Sequence, residues 1–141
     1  MTKRADIRKK LLDLVREIVI IRDESTCQHC KKVVSGSNRH LSHVVPVSAT
    51  LSMAYDQCNL MILCYHCHIN WWHKNPLEAA DWFKFTFPSR WGELEYQKKQ
   101  PRKPIKTFEL EDLYEELKLI KKSTKAWKKQ LAYDKANPID D

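Results

Sequence analysis

Cysteine and histidine are the side chains of this sequence best suited to holding metal and moving protons, and the chain carries five of one and six of the other. Four cysteines fall in two pairs, Cys27-Gln28-His29-Cys30 and Cys64-Tyr65-His66-Cys67. The spacing within such a pair lets backbone amides face the sulfurs. Two pairs together can present four thiolates tetrahedrally to one Zn²⁺. A zinc with four thiolates has no open coordination position, so Cys27, Cys30, Cys64 and Cys67 are expected to hold structural Zn²⁺ rather than a catalytic ion. A redox Cys-x-x-Cys usually comes as one pair after a strand in an alternating βαβ chain, a pattern that is missing here. Cys58, outside both pairs, reads as a small packing residue.

Five of the six histidines (His40, His43, His66, His68 and His73) lie inside or beside the span between the pairs. Turn residues Ser35 to Asn38 precede His40. The segment His40 to Val47, rich in Leu and Val, reads as a strand that Pro46 ends or places at an edge. A polar-flanked connection from Ser48 to Asp56 leads to a second strand, Leu60 to Leu63. Lys31 to Val34 is a short strand candidate. A short helix is expected from Tyr65 or His66 to His73.

Helices should flank this region on both sides. Asp6 to Arg22 repeats Ile7, Leu11, Leu14, Ile18 and Ile21 on one face, with Thr2 or Asp6 as cap. Pro76 suits the first turn of a helix to about Phe85, and Ser89 to Gln100 is a third. Lys98, Lys99, Arg102, Lys103 and Lys106 form a basic linker with Pro101 and Pro104. Thr107 to about Tyr133 is a long helix. Its Leu110, Leu113, Leu117, Ile120, Thr124, Trp127 and Leu131 alternate steps of three and four, a heptad seam. An acidic first half and a basic second half complement the helix dipole and would also suit antiparallel pairing of two copies. The seam packs either on the chain's own first helix or in a homodimer. The aromatic residues Trp71, Trp72, Trp82, Phe83, Phe85, Phe87 and Trp91 read as core, with base stacking the alternative for one of them.

The order of motifs resembles the HNH (ββα-metal) endonuclease family. The residues that carry the likeness are Ser42-His43-Val44-Val45-Pro46, then Asn59, then Leu63-Cys64-Tyr65-His66-Cys67-His68, after the first Cys pair. It is most similar to the zinc-knuckle group of phage recombination endonucleases, lambda NinG-like and endonuclease VII-like. The likeness covers about residues 25 to 76. It implies an α+β fold, mainly α, with a small zinc-stapled ββα-metal core between an N-terminal helix and C-terminal helices. The expected division is 1–24 (basic amphipathic helix), 25–76 (core), 77–106 (aromatic-rich helices and basic linker) and 107–141 (heptad helix and tail).

In that family the first-strand histidine is the general base, here His43. Histidine suits the task because the side chain exchanges protons near neutral pH. The middle asparagine, here Asn59, holds the loop that orients it. One divalent ion stabilises charge on the phosphate and the leaving oxygen. Its ligands map to His68 and, three residues before the base, to His40. The residue directly before the base is Ser42, a poor ligand, and no carboxylate stands at either place. Two imidazoles favour Mn²⁺, Ni²⁺, Co²⁺ or Zn²⁺ over Mg²⁺. His73 lies about 140° from His68 on an ideal α-helix, and is a further ligand, a phosphate contact or a surface residue. Lys74 is a weak candidate for a DNA phosphate contact. His29 and His66 are given no role.

Net charge of +7 and an isoelectric point near 9.2 fit a polyanionic partner such as DNA. Two glycines, Gly36 and Gly92, exclude a Gly-rich nucleotide loop. No apolar run suits a membrane span, and no signal peptide is evident because Asp13, Arg16 and Glu17 interrupt the early apolar residues. The expected location is the cytoplasm, that of the host cell if the protein is phage-encoded. The expected reaction is hydrolysis of DNA to 5′-phosphate and 3′-hydroxyl ends. The alternatives are a zinc-stapled DNA-binding module without catalysis and a zinc-built protein-interaction module.

Overall fold

The computed structural model describes residues 2–46, 51–101 and 103–139. Val47, at the end of the expected first strand, Ser48, at the start of the connection, and Arg102 of the basic linker lie outside the described residues. The chain is mostly helical, with one two-stranded antiparallel sheet.

Helix α1 runs Lys3–Asp23. The Thr2 hydroxyl caps it, accepting from the Ala5 amide at 3.1 Å. The helix stops at Glu24 and Ser25, both in the left-handed region with φ of 56° and 53°. Their amides turn back to the Ile21 carbonyl at 3.3 Å and the Ile20 carbonyl at 3.0 Å, closing the last turn. The buried stripe is Ile7, Leu11, Leu14, Val15, Ile18 and Val19, the apolar repeat seen in the sequence.

Strand β1 spans His40–His43 and pairs with β2, Leu60–Leu63, in the register His40 to Leu63 and His43 to Leu60. β2 has the expected limits, and all four of its residues are buried. β1 is shorter than the expected segment. After His43 the chain bends, and the Val44 amide donates to the Asn59 carbonyl at 2.9 Å. Lys31 to Val34 forms no strand, only a single bridge between Thr26 and Val33.

The segment His66–Trp72 is a π-helix. It is followed by α2, Pro76–Thr86, and α3, Pro88–Lys99, each opened by a proline whose missing amide hydrogen is no loss at a helix start. Helix α4, Thr107–Ala136, lies along α1. Ion pairs join Lys3 to Glu111 at 3.1 Å, Glu17 to Lys121, and Glu24 to Lys128 at 3.2 Å. Both partners advance together, so the helices run parallel. The acidic-then-basic polarity of α4 thus matches the basic-then-acidic order of α1 within one chain. Leu110 and Leu117 of the seam are buried, Leu113, Ile120 and Thr124 are half-buried, and Trp127 is exposed. Among the described residues no helix is long and apolar enough to cross a membrane.

One polar device fixes the sheet to α1. The Arg22 guanidinium donates to the Gln57 and Leu60 carbonyls, each at 2.6 Å, and pairs with Asp23 at 2.8 Å. Asp23, itself buried, accepts from the Ile62 amide at 3.0 Å. A buried charge pair of this kind is costly unless every lone pair is used. Here the two residues meet the Gln57 carbonyl ahead of β2 and the Leu60 carbonyl and Ile62 amide within it.

Candidate active site and metal centre

The first knuckle is made by a tight turn at Cys27–Lys31, where Lys31 adopts a φ of 68°. The Cys27 amide donates to the Lys32 carbonyl at 2.8 Å, and the Gln28 amide to Ile62 of β2 at 2.9 Å. The second knuckle leaves the end of β2 and enters the π-helix. The sheet therefore brings the two pairs together, and the sulfurs of Cys27, Cys30, Cys64 and Cys67 all lie within 4.8 Å of one another. Tetrahedral zinc with Zn–S bonds near 2.3 Å requires sulfurs about 3.8 Å apart. Cys30 Sγ and Cys64 Sγ stand 3.8 Å apart. The Cys30 amide faces Cys27 Sγ at 3.5 Å and the Cys67 amide faces Cys64 Sγ at 3.4 Å, as charged thiolates need. Burial pushes the Cys27 thiol up, but amide bonds from Cys30, Cys64 and His29 more than reverse this, to about 7. These four residues could hold a structural zinc.

His29 belongs to this centre. Its Nδ1 lies 3.2 Å from Cys67 Sγ. Its ring stacks on Trp71 with centroids 3.7 Å apart and meets the edge of Trp82 at 5.2 Å. Burial lowers its pKa, with Glu78 opposing and His66 and Lys31 adding to the effect. Its position within a Cys-x-x-Cys turn was the one sequence signal of this role.

A second cluster holds imidazoles. His40 Nδ1 is 2.9 Å from His68 Nδ1, and His40 Nε2 donates to the Ser37 carbonyl at 3.0 Å. With its proton on Nε2, His40 turns the Nδ1 lone pair toward His68. Two nitrogens bound at right angles to one ion by bonds near 2.0–2.1 Å would stand about 2.9 Å apart, so the pair fits a divalent cation. Burial, then the neighbouring His73, His40 and His43, lower the pKa of His68 to about 4. His68 is thus neutral, as a ligand must be.

The five-residue spacing of His68 and His73 has a different meaning here than on an α-helix. The segment is π-helical, and the His73 amide bonds to the His68 carbonyl at 3.1 Å. Instead of standing on different faces, the two rings meet with centroids 4.5 Å apart.

His43 ends β1, and its Nε2 lies 3.0 Å from the Ala54 carbonyl. That bond places a proton on Nε2, and Nδ1 has no hydrogen-bond partner among the described residues. Asn59 is fully buried. Its Oδ1 accepts from the Val45 amide at 2.7 Å, and its Nδ2 donates to the Val45 and Met53 carbonyls, both at 3.0 Å. It therefore pins the chain two residues after His43 to the chain one residue before Ala54. Ser42 is completely buried, its hydroxyl has no partner among the described residues, and it is not among the residues lining the cleft.

His43, His68 and His73 line one cleft of about 810 Å³. Its other wall is α3, through Trp91, Leu94, Glu95 and Lys98. His40 meets His68 without lining the cleft, and Lys74 is exposed and likewise absent from its lining. Lys98, which the sequence placed only in a basic linker, is the lysine that reaches it.

The fold and the centre define a small zinc-knuckle ββα unit carried on helices. Residues 27–70 match the family model HNH endonuclease. No curated protein and no solved structure matches the chain.

Proposed function

We propose that this protein is a metal-dependent DNA endonuclease of the zinc-knuckle HNH kind, serving phage DNA recombination or processing. The observation that carries the reading is His43. It stands at the cleft wall with Nε2 committed to the Ala54 carbonyl and no hydrogen-bond partner for Nδ1 among the described residues. That Nδ1 would take the proton from a water attacking phosphorus in line. Asn59 positions the base by holding Val45 and Met53. His40 and His68 would hold the divalent ion, with His73 beside them as a third nitrogen. When bound, such an ion stabilises negative charge on the phosphate and on the leaving 3′ oxygen. An all-imidazole set favours Mn²⁺, Ni²⁺, Co²⁺ or Zn²⁺ over Mg²⁺.

The DNA partner is supported by the net charge of +7 and the matched domain. A paired cut would need two protomers. α1 lies along α4 as far as the Glu24–Lys128 pair, which leaves the last turns of α4, with the exposed Trp127 at their start, for a homodimer. Sedimentation with and without DNA tests that arrangement. The test of the function is nicking of supercoiled plasmid with each cation, wild type beside His43→Ala. Cleavage that disappears in the variant supports the reading. No cleavage by wild type with any cation, together with retained DNA binding, would replace it with a DNA-binding module.

A further inference from the structure

Asn59 sits at the end of a single 3₁₀ turn, Gln57–Asn59. A turn this short has few backbone bonds, and their geometry is poorer than in an α-helix. Asp56 shapes it. The Cys58 amide donates to Asp56 Oδ1 at 2.9 Å, and the Asn59 amide donates to the Asp56 carbonyl at 2.9 Å. These bonds are local, so they do not fix where the turn stands relative to the sheet. Arg22 of α1 does. Its Nη1 donates to the Gln57 carbonyl and its Nη2 to the Leu60 carbonyl, each at 2.6 Å. Gln57 stands two residues before Asn59 and Leu60 one residue after, so one planar fork brackets the asparagine. The fork is itself held. Arg22 Nε pairs with Asp23 Oδ1 at 2.8 Å, and Asp23 Oδ2 accepts from the Ile62 amide at 3.0 Å. The Arg22 side chain is only 12% exposed and that of Asp23 2%, which keeps water from competing for these carbonyls.

Resting on the nuclease reading, we propose that Arg22 is a positioning residue for His43, supplied by a helix outside the matched residues 27–70. The path has three links. Arg22 places the backbone of Asn59 through Gln57 and Leu60. Asn59 places Val45 and Met53 through its side chain, and its carbonyl takes the Val44 amide. The Ala54 carbonyl, next to Met53, then holds His43 Nε2 at 3.0 Å. The histidine is thereby gripped from two directions, through its own backbone neighbour Val44 and through its ring. A lysine at position 22 would keep the charge beside Asp23. Its ammonium is a point donor, without the planar fork that spans two carbonyls. Arg22→Lys therefore separates placing the turn from merely filling the site with a cation.

The test reads His43 directly, in the zinc-loaded full chain with isotope-labelled histidine nitrogens. Ring-nitrogen NMR gives the tautomer, and the exchange rate of the Nε2 proton reports its hold on the Ala54 carbonyl. The His43 signals are those missing from His43→Ala. Wild type should show the Nε2-protonated tautomer. Arg22→Lys should add the Nδ1-protonated tautomer and speed Nε2 proton exchange about tenfold or more. On plasmid its kcat should fall about 10- to 100-fold, as small misplacements of a reacting group do, with KM within about twofold. Leu117→Ala is the stability control. It empties a buried place on α4, and should lower the melting temperature while leaving the His43 signals as in wild type. Unchanged His43 signals in Arg22→Lys, or equal changes in Leu117→Ala, overturn the proposal, because Arg22 would then only support the fold. If Arg22→Lys does not fold, Asp23→Asn decides by the same signals, since it keeps an acceptor for the Ile62 amide and removes the charge that steers Arg22. Wild-type cleavage separates the two readings. Cleavage with His43 signals indifferent to Arg22 removes the positioning and keeps the nuclease. His43 signals that follow Arg22, with no cleavage under any cation, remove the nuclease and keep the positioning of His43.

Discussion

The sulfur tetrad and the imidazole cluster share one piece of chain, the stretch from Cys64 through the π-helix, yet they differ in every property that decides what a bound ion can do. The tetrad is closed. Its sulfurs converge on one another, its backbone amides point inward, and none of its members lines the cleft. The imidazoles are open, with His43, His68 and His73 on the cleft wall and donor atoms left over for other partners. Cys67 and His68 are adjacent, one facing each site. A single π-helical turn could therefore supply both a zinc ligand and the mount for the candidate catalytic ligand. Geometry at the open site is set by the closed one.

The largest effect should come from the closed site. Chelation of zinc, or Cys64→Ser, should remove about 10 kcal/mol or more of folding free energy, the range for structural zinc. Near-ultraviolet circular dichroism of the tryptophans should collapse, while much of the far-ultraviolet helix signal from α1 and α4 survives. An unchanged tertiary signal after complete zinc removal would break the distinction between the two centres. Next is the open site. His43→Ala should reduce cleavage about 10²- to 10⁴-fold, the usual contribution of a general base, and leave the melting temperature nearly unchanged. A variant that loses stability as well would show that His43 is part of the scaffold.

Asn59 joins the two behaviours. Asn59→Ala would leave the Val45 amide and carbonyl without their side-chain partner in the interior, and the Met53 carbonyl with only the Asp56 amide at 3.4 Å. Each such group costs about 1–3 kcal/mol, with partial relief by water, so about 2–4 kcal/mol is expected by denaturant titration. Cleavage by the folded fraction should fall too, because the Ala54 carbonyl that holds His43 lies in the released segment. Loss of stability with full activity per folded molecule would separate Asn59 from the base.

Much of this architecture could be read from residue types because it repeats or is chemically unusual. The two Cys pairs, the apolar run Leu60–Leu63 and the proline opening α2 are of that kind. Four features were not legible. The π-helix changes the residues per turn without any residue signalling it, and so the sequence put His68 and His73 on different faces. β1 ends at His43 because Asn59 captures the next residues, although Val44 and Val45 have strong strand character. Arg22 and Asp23 looked like an ordinary helix end, since their backbone partners are 35 and 39 residues away. The cleft wall of α3 lies wholly outside the motif, so nothing in residues 27–70 could indicate it.

His29 should give the smallest effect and the finest separation of the two centres. It touches the tetrad through Cys67 Sγ at 3.2 Å and is held by Trp71 and Trp82. A hydrogen bond to a ligating atom commonly changes metal affinity 10- to 100-fold. His29→Ala should therefore weaken zinc binding by about that factor, measured by competition with a chromophoric chelator. His29→Phe keeps an aromatic ring on Trp71 but removes the donor. If the hydrogen bond matters, Phe should behave like Ala in zinc affinity. If the stack matters, Phe should behave like wild type. With zinc saturating, either variant should cleave within about twofold of wild type, because neither alters the imidazoles at the cleft. A large loss of cleavage at saturating zinc would mean that His29 tilts the π-helix, so that the closed centre tunes the open one as well as supporting it.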